Sequence, residues 1–157
     1  MTPDADTSLT LHQRLESAMR DSMRARDEQR TQTLRMAMAA AQNQRIARGR
    51  DLTDEEVVDV LTKQVKQRRE SIAMFREAGR DDRAAAEEAE AAILAEFLPE
   101  QLSEAEIAAL ARAAIAETGA SSPADMGRVM GTLSPRTKGR ADGRVVSDIV
   151  RRLLAEA

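Results

Sequence analysis

Apolar positions in this chain recur three and four residues apart, and nowhere alternate over a useful strand length. Leu11, Leu15, Ala18 and Met19 make one such stripe. Leu34, Ala37, Met38 and Ala41 make a second, followed by Gly49. Val57, Val60, Leu61, Val65, Ile72 and Phe75 make a third, closed by Gly79. Ala86, Ala89, Ile93 and Phe97 make a fourth, closed by Pro99. Each stripe belongs to an amphipathic helix that needs neighbours to bury it. The pattern predicts an all-α fold: a four-helix up-and-down bundle over residues 8–98.

Local signals sharpen the helix starts. Thr53 can cap the third helix, Glu56 can return a bond to the Thr53 amide, and Leu52 can staple onto Val57. Ser103, Glu106, Leu102 and Ile107 repeat the device. Ser122-Pro123 marks a further start, and Gly119 a preceding stop. A last helix is expected near Asp142, burying Val146, Ile149, Val150 and Leu153. Pro99 cannot continue a helix and disfavours helical geometry at Leu98. A small three-helix subdomain is therefore expected over 99–157, and residues 1–7 read as a mobile tail without the basic start or apolar run of a signal peptide.

Composition narrows the class. The chain has 157 residues and no cysteine, which excludes disulfides and thiolate chemistry and fits a cytoplasmic location. No apolar run reaches membrane-spanning length, so no membrane partner is expected. The net charge of −3 hides an asymmetry. Residues 81–118 hold 10 acidic and 2 basic groups, whereas 119–157 hold 7 basic and 4 acidic ones.

Catalytic chemistry is hard to assemble. The single histidine, His12, lies near one end and reads as a surface residue. No Ser/His/Asp or Ser/Lys set has usable spacing. Asp81 and Asp82 precede a helix and read as cap or dipole residues in preference to a metal pair. The stretch 131–138 lacks both the Gly-Lys-Ser/Thr core and the preceding strand of a phosphate loop. No metal, cofactor or stand-alone catalytic site is expected.

Two features remain. Arg68 returns to the apolar stripe of the third helix, and Glu90 lies near that of the fourth. In a hairpin turning near Arg80 they reach similar height, as a partly buried ion pair that fixes register or as two chains snorkelling to water. The richer feature is segment 126–152, with Arg128, Arg136, Lys138, Arg140, Arg144, Arg151 and Arg152 against Asp142 and Asp148. Gly127 and Gly131 lie one helical turn apart and leave a face without side chains. With Gly139 and Gly143 they read as close-packing glycines, against another helix or a phosphate backbone. Residues 134–143 read as a basic loop leading into a helix N-terminus that favours anions. Both readings stay open: a solvated loop with tight packing, or an anion-binding patch.

The string DMGRVMGTLSPRTKGRADGRVVSDIV resembles the signature of the GatB–YqeY family. FLPEQLSEAEI, ETGASSPADMG, LTDEEV and KQRRES resemble it too, in order, so the likeness runs from about Leu11 to Leu153. The chain looks like the free-standing YqeY-like branch of that family, whose domain also forms the C-terminal tail of the B subunit of aspartyl/glutamyl-tRNA amidotransferase. The resemblance implies a helical bundle followed by a three-helix unit. It also implies a tRNA-associated accessory role beside a tRNA amidotransferase or aminoacyl-tRNA synthetase. The family-level label, carbon–nitrogen ligase activity with glutamine as amido-N-donor, comes by resemblance alone: the kinase-like core and glutaminase of that enzyme have no counterpart here. The seven basic residues are then the expected tRNA contacts. Without aromatics after Phe97 they would read backbone shape and 2′-hydroxyls. The alternative is a helical protein–protein adaptor presenting Met19, Met23, Met36 and Met38.

Overall fold

Seven α-helices and one 3₁₀ turn account for the regular structure of the described residues, and no strand occurs among them. The computed structural model describes residues 8–156. The expected tail, 1–7, lies outside them. The helices divide into two compact units, Met1–Leu98 and Pro99–Ala157.

Unit 1 holds α1 (Leu11–Arg24), α2 (Glu28–Arg48), α3 (Asp54–Glu77) and α4 (Asp81–Ala95). Their apolar stripes meet in one core of Leu11, Leu15, Leu34, Ala37, Val57, Leu61, Val65, Leu94 and Phe97. The most extensive pairing is α3 against α4, followed by α1 against α2. Local chemistry sets the boundaries. Thr10 and Gln13 form a capping box at α1, and Thr53 and Glu56 form one at α3. Leu52 packs on the core beside Val57. Gly49 ends α2 at φ +69, and Gly79 follows α3 at φ +70, left-handed values that cost glycine nothing. The α1–α2 turn is latched by buried Ser22 and Thr31, whose hydroxyl oxygens lie 2.7 Å apart.

The fourth helix departs from its expected face. Ala84, Leu94 and Phe97 are buried, while Ala86 is exposed and Ala89 and Ile93 are only half-buried. In so alanine-rich a helix several faces satisfy the same spacing, and packing on α3 selects one of them. Asp81 and Asp82 do not cap. They occupy the first turn itself, after Arg80, which makes no side-chain cap bond. Their carboxylates can act on the helix only through its dipole.

Arg68 is 8% exposed and sits between Val65 and Ile72 on the buried side of α3. Its Nη1 donates to Glu90 and, at 3.2 Å, to Glu87, both on α4. The guanidinium therefore links the two helices of the hairpin within their seam. Its Nε is buried without a partner.

Unit 2 holds α5 (Glu104–Thr118), α6 (Met126–Thr137) and α7 (Gly143–Ala155). Its core is Ile107, Ala108, Ala111, Ala114, Val129, Leu133, Val146, Ile149, Val150 and Leu154. Ser103 and Glu106 box the start of α5, with Leu102 packed on the same core as Ile107. Gly119 closes α5 at φ +67. Ser122-Pro123 opens a single 3₁₀ turn, Pro123–Asp125, before α6 begins.

The expected basic loop, 134–143, is shorter in the structure. Helix α6 continues through Pro135 to Thr137. Proline forfeits one backbone bond, but Val129, Leu133 and Thr137 are all buried on one face. That burial holds the extra turn, and the Lys138 amide still closes onto the Ser134 carbonyl at 3.0 Å.

Candidate nucleic-acid interface

The basic residues of 126–152 fall into three groups. The first addresses the end of α5. Arg128 donates to the Thr118 carbonyl at 3.2 Å, one of the acceptors that a helix C-terminus leaves open. It also donates to Asp125 at 2.6 Å. Arg136, two turns further along α6, donates to Glu117 at 2.8 Å. Both arginines thus converge on consecutive residues of one helix end, each with an acidic partner.

These carboxylates are held ionised. Asp125 accepts the amides of Ser121 and Ser122 as well as Arg128, and its pKa falls to about 2, the Ser121 bond contributing most. The hydrogen bond from Arg136 lowers the Glu117 carboxyl, and the same bond raises the Arg136 guanidinium.

The second group lies on the α6–α7 connection and the first turn of α7. Lys138 is exposed, Arg140 half-buried and Arg144 exposed. The connection turns at Gly139, φ +73. It is braced from the segment before α5. The Leu102 amide donates to the Arg140 carbonyl at 2.8 Å. Gln101 Nε2 donates to the Gly139 carbonyl at 2.9 Å, and Arg140 Nε to the Glu100 carbonyl at 3.2 Å. Asp142 caps α7 by accepting the Arg144 amide at 2.9 Å.

The third group, Arg151 and Arg152, is exposed about two turns further along α7, where Arg151 pairs with Asp148 at 3.0 Å. The seven cations therefore spread along two helices and their connection. Three of their acidic and carbonyl partners, Glu117, Glu100 and Thr118, carry no sequence signal of their own. They lie up to 40 residues away along the chain, and only the packed fold brings them close.

The glycines depart from expectation. A Cβ built on Gly127, Gly131 or Gly143 would meet no atom within 4 Å. They are not close-packed within this chain. Gly127 and Gly131, with Ser134 and Pro135, leave an exposed strip of α6 free of large side chains, bordered by Arg128 and Arg136. The role of Gly139 is its left-handed turn. Among the described residues no group of three or more acidic or histidine side chains could hold a metal. No helix is long and apolar enough there to cross a membrane.

The family model described as Yqey-like protein matches residues 12–154. The chain belongs to the YqeY-like family. It is also similar to an uncharacterized protein of Schizosaccharomyces pombe, 35% identical over 83 residues, which cover 53% of this chain and 68% of that one. The match to the YqeY-like family spans both units, so the basic segment of unit 2 lies inside the family domain.

Proposed function

We propose that this YqeY-like protein is an RNA-facing accessory module whose substrate class is tRNA, working alone or beside a larger tRNA enzyme such as an amidotransferase or aminoacyl-tRNA synthetase. The observation that carries this reading is the exposed, side-chain-poor strip of α6 set beside arginines and continued by the braced basic connection. A phosphate backbone can approach bare helix closely, and cations at its edge neutralise it. The pairing of Arg128 and Arg136 with Asp125 and Glu117 limits the free positive charge. Binding should therefore be moderate and shape-directed, with little sequence preference. Carbon–nitrogen ligase activity with glutamine as amido-N-donor would arise only within a complex that supplies the catalytic subunits.

The test is tRNA binding across a salt series, with Arg136, Lys138 and Arg140 neutralised together. The log–log slope should fall by about 2–3 units. Unchanged binding in the triple variant, or none at low salt, would overturn the reading. Glutamine-dependent activity of the purified chain would overturn the accessory role.

A protein–protein adaptor is the second reading, favoured by exposed apolar side chains on unit 1. Met23 and Met36 are 52% and 57% exposed, and Ile46 is 68% exposed. Met19 and Met38 do not join this surface, because they pack against the core. Recovery of one protein partner and no RNA on co-purification would favour this alternative.

A further inference from the structure

Unit 1 contains a cavity of about 280 Å³ where the start of α1, the second half of α2 and the α2–α3 connection meet. Its polar lining is Thr10, His12 and Gln13 from the start of α1, Gln42 and Arg45 from α2, and Asp51 from the connection. In the hydrogen bonds among these groups the side-chain oxygens of Gln13, Thr10 and Gln42 are the acceptors. Gln13 Oε1 accepts the Thr10 amide at 2.9 Å, and Thr10 Oγ accepts the Gln13 amide at 3.1 Å. Gln42 Oε1 accepts Arg45 Nη1 at 3.5 Å. Among the described residues, no hydrogen bond takes the –NH2 end of either glutamine, the hydroxyl proton of Thr10 or the ring N–H of His12.

Charge points the same way. Arg45 is the one permanent cation of the lining. Asp51 is the one carboxylate, and its Oδ1 forms an ion pair with Arg45 Nε at 2.7 Å. Its side chain is 86% exposed, so water weakens its hold on the guanidinium. Among the described residues, Arg45 Nη2 makes no hydrogen bond and would face a ligand unopposed.

We propose that this cavity binds a small oxyanion, a carboxylate or phosphate group, through the Arg45 guanidinium and the donors of Gln13, Gln42 and His12. Its volume suits a small metabolite and not a polymer. The site lies in unit 1 and uses no residue of the RNA-facing segment, so the two proposals stand or fall separately.

His12 is the chain's only histidine, so its ring protons give one assignable NMR reporter inside the lining. Inorganic phosphate and acetate are titrated separately at fixed pH, with chloride holding ionic strength constant. The expected result is a saturable shift of the His12 signals by at least one probe, and the probe that saturates identifies the ligand source. Arg45→Met should weaken that binding about tenfold, through loss of the charge-assisted bond. Asp51→Asn should tighten it about threefold, because the competing carboxylate is gone. If Arg45→Met perturbs the circular dichroism spectrum, Gln42→Leu serves instead, with weaker binding expected. Shifts that stay linear for both probes would overturn the proposal. So would shifts unchanged in both Arg45→Met and Gln42→Leu.

Discussion

Arg136 Nη2 and Glu117 Oε2 lie 2.8 Å apart, joining the last turn of α6 to the last turn of α5 across 19 residues of chain. The side chains are 40% and 51% exposed, so water screens the pair and its contribution to folding is small. On the proposed tRNA-binding reading its effect would fall on binding instead, because Glu117 occupies a cation that a phosphate would otherwise use. Glu117→Gln should raise tRNA affinity about threefold at low salt and steepen the log–log salt slope by about one unit. Fluorescence anisotropy against salt concentration reads both quantities. An unchanged slope would remove Arg136 from the interface.

Gly131 allows the fold and the proposed RNA contact to be tested apart on the same helix. It occupies the interior of α6, and a Cβ there meets nothing within 4 Å. Gly131→Ala should therefore stabilise the fold by about 0.5–1 kcal/mol in urea denaturation. Gly131→Leu should fold equally well but hold an RNA backbone away from the helix, weakening tRNA binding several-fold. If Gly131→Leu binds tRNA as the parent does, the bare strip is not a contact.

The seam between α3 and α4 predicts an unequal response to mutation. Arg68→Ala leaves Glu87 and Glu90 facing each other without their shared cation, and should cost about 3 kcal/mol. Glu90→Gln should cost less, because Glu87 still accepts Arg68 Nη1. Arg68→Met fills the space without leaving an unsatisfied Nε, and should lie between the two. Denaturant midpoints order the three variants. An Arg68→Ala protein as stable as the parent would show that the seam tolerates two uncompensated carboxylates.

Glu56 couples stability to acid. Its carboxyl is lowered from 4.5 to about 2, chiefly by the hydrogen bond from Arg50 and next by the Thr53 amide. The folded-state value lies below the unfolded one, so this stabilisation is complete above about pH 4.5 and disappears as pH falls toward 2. Glu56→Gln keeps an acceptor for the capping box but cannot titrate. Its Tm should fall less steeply than that of the parent between those pH values. Parallel acid branches for the two proteins would place the coupling elsewhere.

Features decided within four residues were the most legible, and the Arg68–Glu90 pair, 22 residues apart, was reached only through the helical stripes on either side of the turn. The boxes at Thr53 and Ser103 are reciprocal bonds between near neighbours, so the letters suffice to find them. The same device at Thr10 is carried by Gln13 in place of glutamate and is quieter in the sequence. The extra turn through Pro135 was not legible, because the burial of Leu133 and Thr137 that outweighs the lost bond is a tertiary effect. The face of α4 was ambiguous for the opposite reason: alanine at many positions offers several stripes and commits to none. At the candidate interface the cations could be read but their acceptors could not. Glu117 and the carbonyls of Thr118 and Glu100 become partners only when α5, α6 and the α6–α7 connection pack together.

The brace from Gln101 and Leu102 onto Gly139 and Arg140 has an entropic consequence. A turn this rich in glycine and long cations would ordinarily sample many shapes and lose that freedom whenever a partner arrived. Here three hydrogen bonds from residues 100–102 restrict it. Lys138 and Arg140 are carried on a braced backbone, so on the proposed reading a rigid ligand would meet them at a lower ordering cost.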